Sequence, residues 1–598
     1  MPQRITTIIT SLALVGAIFA GVPSSVRAAA AEIYVGIAGA DYTTAVAGCR
    51  DLRITILAGS EVDAAEDIAA ASVEADTGGT IYLCPGTYHF LTPAVMERDN
   101  ITLKGAGATK TILDGGNTSR IILTEGSLVV EDLTVRNARG DQSNNGGAVL
   151  AYGTVDATNV VFSHNFSDTG GGAIAALDEV TVQDSTFTNN TTADRGGAIA
   201  SGDTVTVENS TFTNNSSIAD SECIGGGGAI AAAHDVIASD SLFVGNSAVL
   251  GPDTNLANCG YGENVFGGFG GAIAALGFET ITDSKFVNNK AALVGGAVFA
   301  ANTAETRSHV LISGSTFSGN DLLPLTGNWA LGGTFIRQVG SAVADISEWG
   351  VTIITSTFSN NGHRYASSNL EEEMGIEACG TVFGLLINVD GSAFNGNSSV
   401  VGGGLCAYLQ ATVTDSTFTG NFASLAGAAI AGGFVSTEGV YVAVQHSTFV
   451  KNRALIGGAI YAMIGDISDS VFKQNSVRIG GARGGQTREL SGTGGAVHSV
   501  LPMTFTNNLF TRNRAQRAGG AVYVESSAAE AIGLMAGNRF IGNSGGKAGG
   551  AVGYNLADTA ALPTRSQLRA AQRANRFSGN TAARGPLMGG VKSALLFD

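Results

Sequence analysis

Residues 171–190 read GGAIAALDEVTVQDSTFTNN, and residues 196–215 read GGAIASGDTVTVENSTFTNN. The two stretches begin 25 positions apart, and both start with Gly-Gly-Ala-Ile and end with Phe-x-x-Asn. Self-similarity at a period of about 20–50 residues is the sequence mark of a solenoid, a propeller or an array. This repeat is therefore the first feature that a fold has to explain.

Phe followed by Asn three residues later occurs 14 times, whereas the 27 Phe of the chain would give about two such pairs by chance. The pairs are Phe162/Asn165, Phe187/Asn190, Phe212/Asn215, Phe243/Asn246, Phe286/Asn289, Phe317/Asn320, Phe358/Asn361, Phe394/Asn397, Phe418/Asn421, Phe449/Asn452, Phe472/Asn475, Phe510/Asn513, Phe540/Asn543 and Phe577/Asn580. Gly-Gly-Ala plus an aliphatic residue recurs between them. Many of the 84 Gly thus stand at recurrent corners of a repeat, without the three-residue period of collagen.

Ser stands two residues before most of these Phe, as Ser185 does before Phe187. Residues two apart in a strand share a face, so stacked repeats would form columns of Ser, Phe and Asn. Such short units cannot bury a face alone and must stack. Leucine-rich repeats would need Leu in place of Phe, and propeller blades would need about 40 residues. The repeat predicts an all-β fold, a right-handed parallel β-helix with Phe in the lumen and an Asn ladder at one corner.

The alternating Gly-Gly-Ala and Phe-x-x-Asn signatures resemble the repeats of the polymorphic outer membrane protein family, best known from chlamydial surface proteins. The resemblance covers about residues 146–590. It implies a surface-exposed β-helix that acts in adhesion, within the pectate-lyase-like superfamily.

The residues before this repeat predict a cap for the solenoid. Residues 61–75 place Val62, Ala65, Ala69 and Val73 on one helical face, which would cover the open end of the first coil. The expected organisation is a signal peptide (1–30), the cap and first coils (31–145), the repeat β-helix (146–590) and a tail (591–598).

The N-terminus indicates export. Arg4 precedes an uncharged apolar run over residues 5–22, and small residues follow to Ala30, which is the pattern of a cleaved signal peptide. The net charge of −17 excludes a typical nucleic-acid binder. Only 18 residues follow Asn580, too few for a transmembrane β-barrel of its own, so we expect a secreted protein or one held at the cell surface by a partner.

Six Cys in an exported chain suggest disulfides. We expect pairing between sequence neighbours, Cys49 with Cys84, Cys223 with Cys259 and Cys379 with Cys406, from among the 15 possible connectivities. None of these Cys forms a CxxC motif or a Cys/His cluster, so we do not expect a structural zinc site.

Three blocks, residues 248–269, 321–350 and 478–493, break the rhythm and are predicted to be loops projecting from coil corners. Degraded copies of the Gly-Gly-Ala motif are read at residues 332–335, 403–405 and 427–430. Loops on a rigid scaffold are where function concentrates.

Catalytic motifs are sparse. Glycoside hydrolysis needs two facing carboxylates, for which the candidates are Asp178 with Glu179 and Asp466 with Asp469. A column of aspartates could bind Ca²⁺, and its members are Asp184, Asp240, Asp283, Asp415 and Asp469. Other residues interrupt this column, namely Asn209, Gly314, Thr355, Gly391 and His446. The interruptions favour a role for the aspartates as turn caps over a role as metal ligands. The seven His are scattered singly and are expected at the surface or in turns. We therefore assign no catalytic residue and expect no metal and no cofactor.

The sequence favours a non-enzymatic exported repeat protein that binds an extracellular glycan or protein in adhesion or scaffolding, with no nucleic-acid partner. The alternative is a secreted polysaccharide-active lyase, hydrolase or epimerase with its site beneath the inserted loops.

Overall fold

The computed structural model describes residues 32–59, 62–140, 146–219, 225–252, 254, 268–301, 309–323, 340–347, 350–362, 379–432, 440–478, 492–556, 562–585 and 587–591. These residues wind as a right-handed parallel β-helix, which confirms the predicted fold. Each strand pairs in parallel with the equivalent strand of the coils before and after it. The stacked strands form four ladders, which follow one another along the chain as the GGA ladder, the second ladder, the Phe ladder and the corner ladder.

The GGA ladder contains the strands that follow Gly-Gly-Ala and their equivalents in other coils. They are Ala94–Met96, Ile122–Thr124, Val149–Ala151, Ile174–Ala176, Ile199–Ser201, Ile230–Ala232, Ile273–Ala275, Val298–Ala300, Val343–Asp345, Ile430–Gly432, Ile460–Ala462, Val497–Ser499, Val522–Val524, Val552–Asn555 and Met588–Val591. Two long strands, Val382–Asp390 and Leu405–Thr414, serve both this ladder and the next.

The second ladder follows after a short turn. Its other strands are Ile54–Ile56, Glu32–Ile37, Thr80–Leu83, Ile101–Lys104, Leu128–Glu131, Val155–Thr158, Val180–Gln183, Val205–Glu208, Val236–Ser239, Phe278–Thr282, His309–Ser313, Val351–Ile354, Tyr441–Gln445, Ile464–Ser468, Met503–Thr506 and Met535–Ala536. The first two of these extend the ladder at its N-terminal end.

The Phe ladder has one strand per coil, 17 in the described part of the chain. They are Gly86–His89, Thr111–Asp114, Thr134–Arg136, Val161–Ser163, Thr186–Thr188, Thr211–Thr213, Leu242–Val244, Lys285–Val287, Thr316–Ser318, Thr357–Ser359, Ala393–Asn395, Thr417–Thr419, Thr448–Val450, Val471–Lys473, Leu509–Thr511, Arg539–Ile541 and Arg576–Ser578.

The corner ladder is made of short strands in two runs. They are Phe166–Ser167, Thr191–Thr192, Ser216–Ala219, Ser247–Leu250, Lys290–Ala291 and Asp321–Leu322, then Ser398–Val401, Phe422–Ala426, Arg453–Ala454, Ser476–Val477, Arg514–Ala515, Ser544–Ala548 and Thr581–Arg584.

The lumen is filled by one side chain from every inward position. In the coil of Phe187, the aliphatic residues Ile174, Val180 and Val182 are fully buried with the ring. Phe rings of neighbouring coils stack with centroids 4.6–5.0 Å apart and planes within 13° of parallel, from Phe162 to Phe577. This separation follows from the strand spacing of about 4.8 Å, so the aromatic column and the backbone ladder share one repeat distance.

Buried Asn residues join successive coils at the corner after the Phe strand. Asn190 Nδ2 donates to Phe162 O of the previous coil and to Asn215 Oδ1 of the next, both at 3.0 Å. The Asn190 N–H also donates to Asn215 Oδ1, at 3.0 Å. These contacts recur from Asn165 to Asn543 and end at Asn580. A polar side chain is thereby tolerated in the interior because both its donors and its acceptor are used.

Glycine is required where the chain enters the GGA ladder. Gly196 has φ of +68°, and Gly197 lies so close to the next coil that an added Cβ would overlap Gly228 O. The two Gly are therefore required for different reasons. The first adopts a left-handed backbone conformation, and the second lies too close to the next coil for a side chain.

The N-terminal end is capped by helix α1, Ala65–Ala75. Its buried side chains are Ala65, Ile68, Ala71, Ser72 and Ala75, whereas Val73 is 46% exposed. The capping helix is confirmed, but the predicted buried face through Ala69 and Val73 is wrong. The face is rotated because Ile68, the large aliphatic side chain within α1, turns toward the coil. A 3-10 turn, Ala47–Arg50, precedes it.

Two further helices lie near the C-terminal end. Helix α2 spans Ala528–Gly533, and α3 spans Arg565–Ala574 with a capping box at Thr564.

Two disulfides join described cysteines, Cys49–Cys84 and Cys379–Cys406, each with Cα atoms 5.7 Å apart. The remaining expected pair, Cys223 with Cys259, lies outside the described residues.

The predicted loop over residues 321–350 is too wide. It contains the strands Asp321–Leu322 and Val343–Asp345, and Val343 pairs with Val298 and Val382. Residues 340–343, Gly-Ser-Ala-Val, therefore occupy the Gly-Gly-Ala register. The predicted degraded copy at residues 332–335 lies outside the described residues, whereas the copies at 403–405 and 427–430 lead into strands of this ladder.

Replacing Asn289 by Ala should destabilise the β-helix. The change leaves Phe243 O and two donors of Asn246 without their partners, and we expect a loss of about 2–4 kcal/mol in the free energy of unfolding. Chemical denaturation of Asn289→Ala measures it. Asn388→Ala, at an exposed strand position, is the matched control and should stay within about 0.5 kcal/mol of the parent. Equal stability of the two variants would contradict the role of the Asn column.

Candidate functional site

The outward side of the GGA ladder carries a run of small residues. The middle residue of each strand points outward, and in four consecutive coils it is Ala175, Ala200, Ala231 and Ala274. Phe299 takes the same position in the next coil.

Ala200, Ala231 and Ala274 form the floor of an open groove. Its described lining residues are Arg195, Ala200, Ser201, Gly226, Ala231, Ala232, Ala233, Ala274, Ala275, Leu276 and Phe299. Arg195 lies in the turn that leads into the GGA ladder, with its side chain 37% exposed and its Nε 3.7 Å from Asp194 Oδ1. Phe299 closes the other end and is almost fully buried.

The groove therefore offers methyl groups, backbone and one guanidinium. Acid–base cleavage of a glycoside requires two carboxylates about 5–10 Å apart, and no described lining residue is a carboxylate. An arginine beside an apolar floor suits the binding of a ligand that carries an anionic or hydrogen-bond-accepting group.

The predicted carboxylate pairs lie away from this floor. Asp178 and Glu179 are exposed in the turn between the GGA ladder and the second ladder. Asp466 lies on an outward position of the second ladder, where it accepts a hydrogen bond from Tyr441, and Asp469 lies at the next corner. The structure does not bring either pair together with the groove.

The predicted Ca²⁺ column has a conformational explanation. The aspartates of this column all have φ between +47° and +52°. The residues that interrupt the column have φ between +45° and +58°, and they are Asn209, Gly314, Thr355, Gly391 and His446. Asp, Asn and Gly are the residues that adopt this left-handed conformation most readily. The column is therefore a row of corner residues. Within the described part of the chain, no group of three His, Cys, Asp or Glu is placed to hold a metal ion.

The repeat itself matches a known family. Residues 159–177 and 184–202 match the family model of the Chlamydia polymorphic membrane protein repeat. Each segment covers one Phe strand, one corner strand and the following GGA strand. These two coils are similar to polymorphic membrane protein repeats. A search of curated protein sequences found no match to this chain.

Solved structures with some similarity to this chain are β-helix proteins at low identity. The catalytic domain of a GH87 alpha-1,3-glucanase in complex with tetrasaccharides has a TM-score of 0.34 and 10% identity, over 66% of this chain and 64% of that one. An alginate lyase in complex with G6 has a TM-score of 0.31 and 11% identity, over 65% and 82%. The tailspike protein of E. coli bacteriophage HK620 in complex with hexasaccharide has a TM-score of 0.29 and 12% identity, over 88% and 76%. This chain thus spans less than two thirds of the glucanase domain.

None of the helices within the described ranges has the length and apolar character to cross a membrane.

Two buried polar clusters interrupt the columns of the β-helix, and sequence analysis missed both. His498 is fully buried, contrary to the expectation that the histidines lie at the surface or in turns. Its Nε2 lies 3.1 Å from Glu525 Oε2, and its Nδ1 lies 3.0 Å from Thr493 Oγ1. The rings of Tyr461 and Tyr523 pack on either side, with centroids 5.4 and 5.1 Å away. This cluster resembles a nucleophile–base–acid set, but its burial makes it structural.

The second cluster lies inside the lumen. Glu279 occupies the register position of Val236 and Val310 and is fully buried. Burial raises the pKa of the Glu279 carboxyl well above its usual range, and the carboxylates of Asp345 and Asp235 raise it further. A column-by-column alignment of the repeats would have revealed both His498 and Glu279 as departures from small or aliphatic residues.

Removing one partner of the His498–Glu525 pair should cost more than removing both. Glu525→Ala leaves the ring nitrogen buried without its acceptor, and we expect a loss of about 2 kcal/mol or more in unfolding free energy. The double variant His498→Phe/Glu525→Leu keeps the ring stack and removes both polar groups, so it should be less destabilised. Thermal or urea unfolding of the three proteins checks this order, and a double variant that is weaker than Glu525→Ala would refute it.

Glu279 should make stability depend on pH. Because its folded-state pKa is raised, the folded protein retains the proton while the unfolded chain loses it above about pH 4.3, so stability falls as pH rises through that window. Glu279→Gln cannot ionise. The stability of the parent relative to this variant should therefore fall steadily between pH 4 and pH 8 in urea denaturation. Parallel stability curves for the two proteins would show that Glu279 is not protonated in the fold.

Proposed function

We propose that this chain is an exported, non-enzymatic repeat protein that acts in adhesion or scaffolding, and that it binds an extracellular glycan or protein through the groove on the GGA ladder. The observation that carries the proposal is the groove itself, with its alanine floor, its single arginine and, among its described lining residues, no carboxylate.

The repeat supports a surface role. Polymorphic membrane protein repeats occur twice in the described coils, and the resemblance of the wider repeat to chlamydial surface proteins implies adhesion. The predicted signal peptide over residues 1–30 and the two disulfides suit a protein that acts outside the cell.

A polysaccharide-active enzyme would need an acid and a base, or an arginine or lysine converging with carboxylates, on one face. A glycan array run beside lyase and hydrolase assays on the glycans that bind, with and without Ca²⁺, separates the two functions. Binding without turnover is the result that we expect. Turnover that survives purification and is lost on mutation of the groove would overturn the proposal.

Filling the groove should abolish binding while leaving the fold intact. Ala200→Trp places an indole over the alanine floor between Ala175 and Ala231, and we expect at least a tenfold loss in affinity for the captured ligand. Thr213→Trp is the matched control, because it adds the same ring at an outward position of the Phe ladder in the same coil. Equal binding by both variants would place the ligand elsewhere.

A further inference from the structure

The C-terminal coils differ in charge from the rest of the chain. Residues 478–598 contain 14 Lys and Arg against 5 Asp and Glu, whereas residues 1–477 contain 19 against 45. An acidic protein thus ends in a strongly basic segment, and the charge is not spread evenly over its surface.

Seven cations of the coils from residue 451 onward lie on the Phe ladder and the corner beside it, and four of them belong to the basic segment 478–598. We call this surface the cationic corner, and its exposed residues are Lys451, Arg453, Lys473, Arg512, Arg514, Arg539 and Arg576. They belong to five successive coils, so the surface extends about 19 Å along the axis.

The repeat shows that these cations are not required by the fold. Lys451 and Arg453 flank the buried Asn452, as Arg512 and Arg514 flank Asn513. In earlier coils the equivalent residues are mostly small or neutral, for example Asn189 with Thr191 and Asn214 with Ser216. The same corner is therefore built elsewhere without positive charge.

The backbone has an unfavourable left-handed conformation at two of these positions. Lys451 and Arg512 have φ of +56° and +54°, a conformation that favours Gly and Asn, the residues found in most other coils. Local strain of this kind marks positions where function overrides conformational preference.

Within the described part of the chain, no carboxylate pairs with the cationic corner. Across the described residues of 440–591, the acidic side chains are Asp466, Asp469, Glu525 and Glu530, and none forms an ion pair with the cationic corner. The surface therefore keeps its positive charge among the described residues, which favours an anionic ligand.

We propose that the cationic corner binds a linear acidic polysaccharide that lies along the axis of the β-helix. The rows of cations run parallel to the axis, which suits an extended polyanion. Single-stranded nucleic acid would call for exposed aromatic rings on which bases stack, and a membrane would call for exposed apolar side chains. Among the described residues 440–591, the exposed large apolar side chain is Leu534, and no aromatic ring is exposed in this way. This site is separate from the groove of the proposed function.

Binding of polygalacturonate to the full chain, measured by calorimetry at several salt concentrations, tests the proposal. We expect binding that weakens as salt rises, and no binding of neutral dextran. Arg512→Asn/Arg514→Ser, which installs residues of other coils, should bind roughly tenfold more weakly and keep the parent's melting temperature. The matched control Lys285→Thr/Lys290→Ser, which removes two cations from the same faces of an earlier coil, should bind like the parent.

The proposal would be overturned if the parent did not bind polygalacturonate, or if the two double variants bound it equally. It would also be overturned if the parent bound a DNA duplex, or vesicles containing anionic phospholipid, more tightly than polygalacturonate. Salt-sensitive self-association as the sole activity would likewise contradict it. Ala200→Trp distinguishes this site from the groove, because it should leave polygalacturonate binding unchanged.

Discussion

The hydrogen bonds of the Asn column set how the coils from Asn165 to Asn580 stack. Each buried amide joins three coils, because it donates backward to a Phe carbonyl and forward to the next Asn, and it accepts from the Asn before it. Such bonds form only when successive coils stack at the strand spacing and in one register. The Phe column repeats at that same spacing, so aromatic stacking and hydrogen bonding favour one arrangement. Successive Asn of the column are 23 to 43 residues apart in sequence, so coils of different length share one register.

This constraint leaves the outward positions free to change. The fold specifies Phe, Asn, Ser and the paired Gly, whereas the middle residue of a GGA strand or the residues that flank the buried Asn can take many forms. The alanine groove and the cationic corner are two outcomes of that freedom, on different faces and in different coils. The interior is less free, and the burial of Glu279 in a valine column raises the pKa of its carboxyl well above the usual range.

Most of the fold could be predicted from the sequence because the spacing of the repeat determines which residues stack in neighbouring coils. Phe187 and Asn190 recur at fixed spacing, and parallel stacking is the arrangement that buries both. The face of α1 could not be predicted in the same way, because its alanines give little apolar contrast and tertiary packing decides which side turns inward. The coil at residues 340–343 was missed because Gly-Ser-Ala-Val departs from the motif while retaining its register. The groove was also missed, since it arises from alanines that are neighbours in space and 25–43 residues apart in sequence.

Hydrogen exchange of the backbone amides of the Asn column tests this account most directly. The N–H groups from Asn190 to Asn513 donate to buried side-chain oxygens, so they should exchange together and far more slowly than amides near the two ends. Uniform protection along the column would show that one hydrogen-bonded ladder holds the coils as a unit. Rapid exchange at central positions such as Asn289, with protection retained in neighbouring Phe strands, would contradict the claim that the fold depends on it.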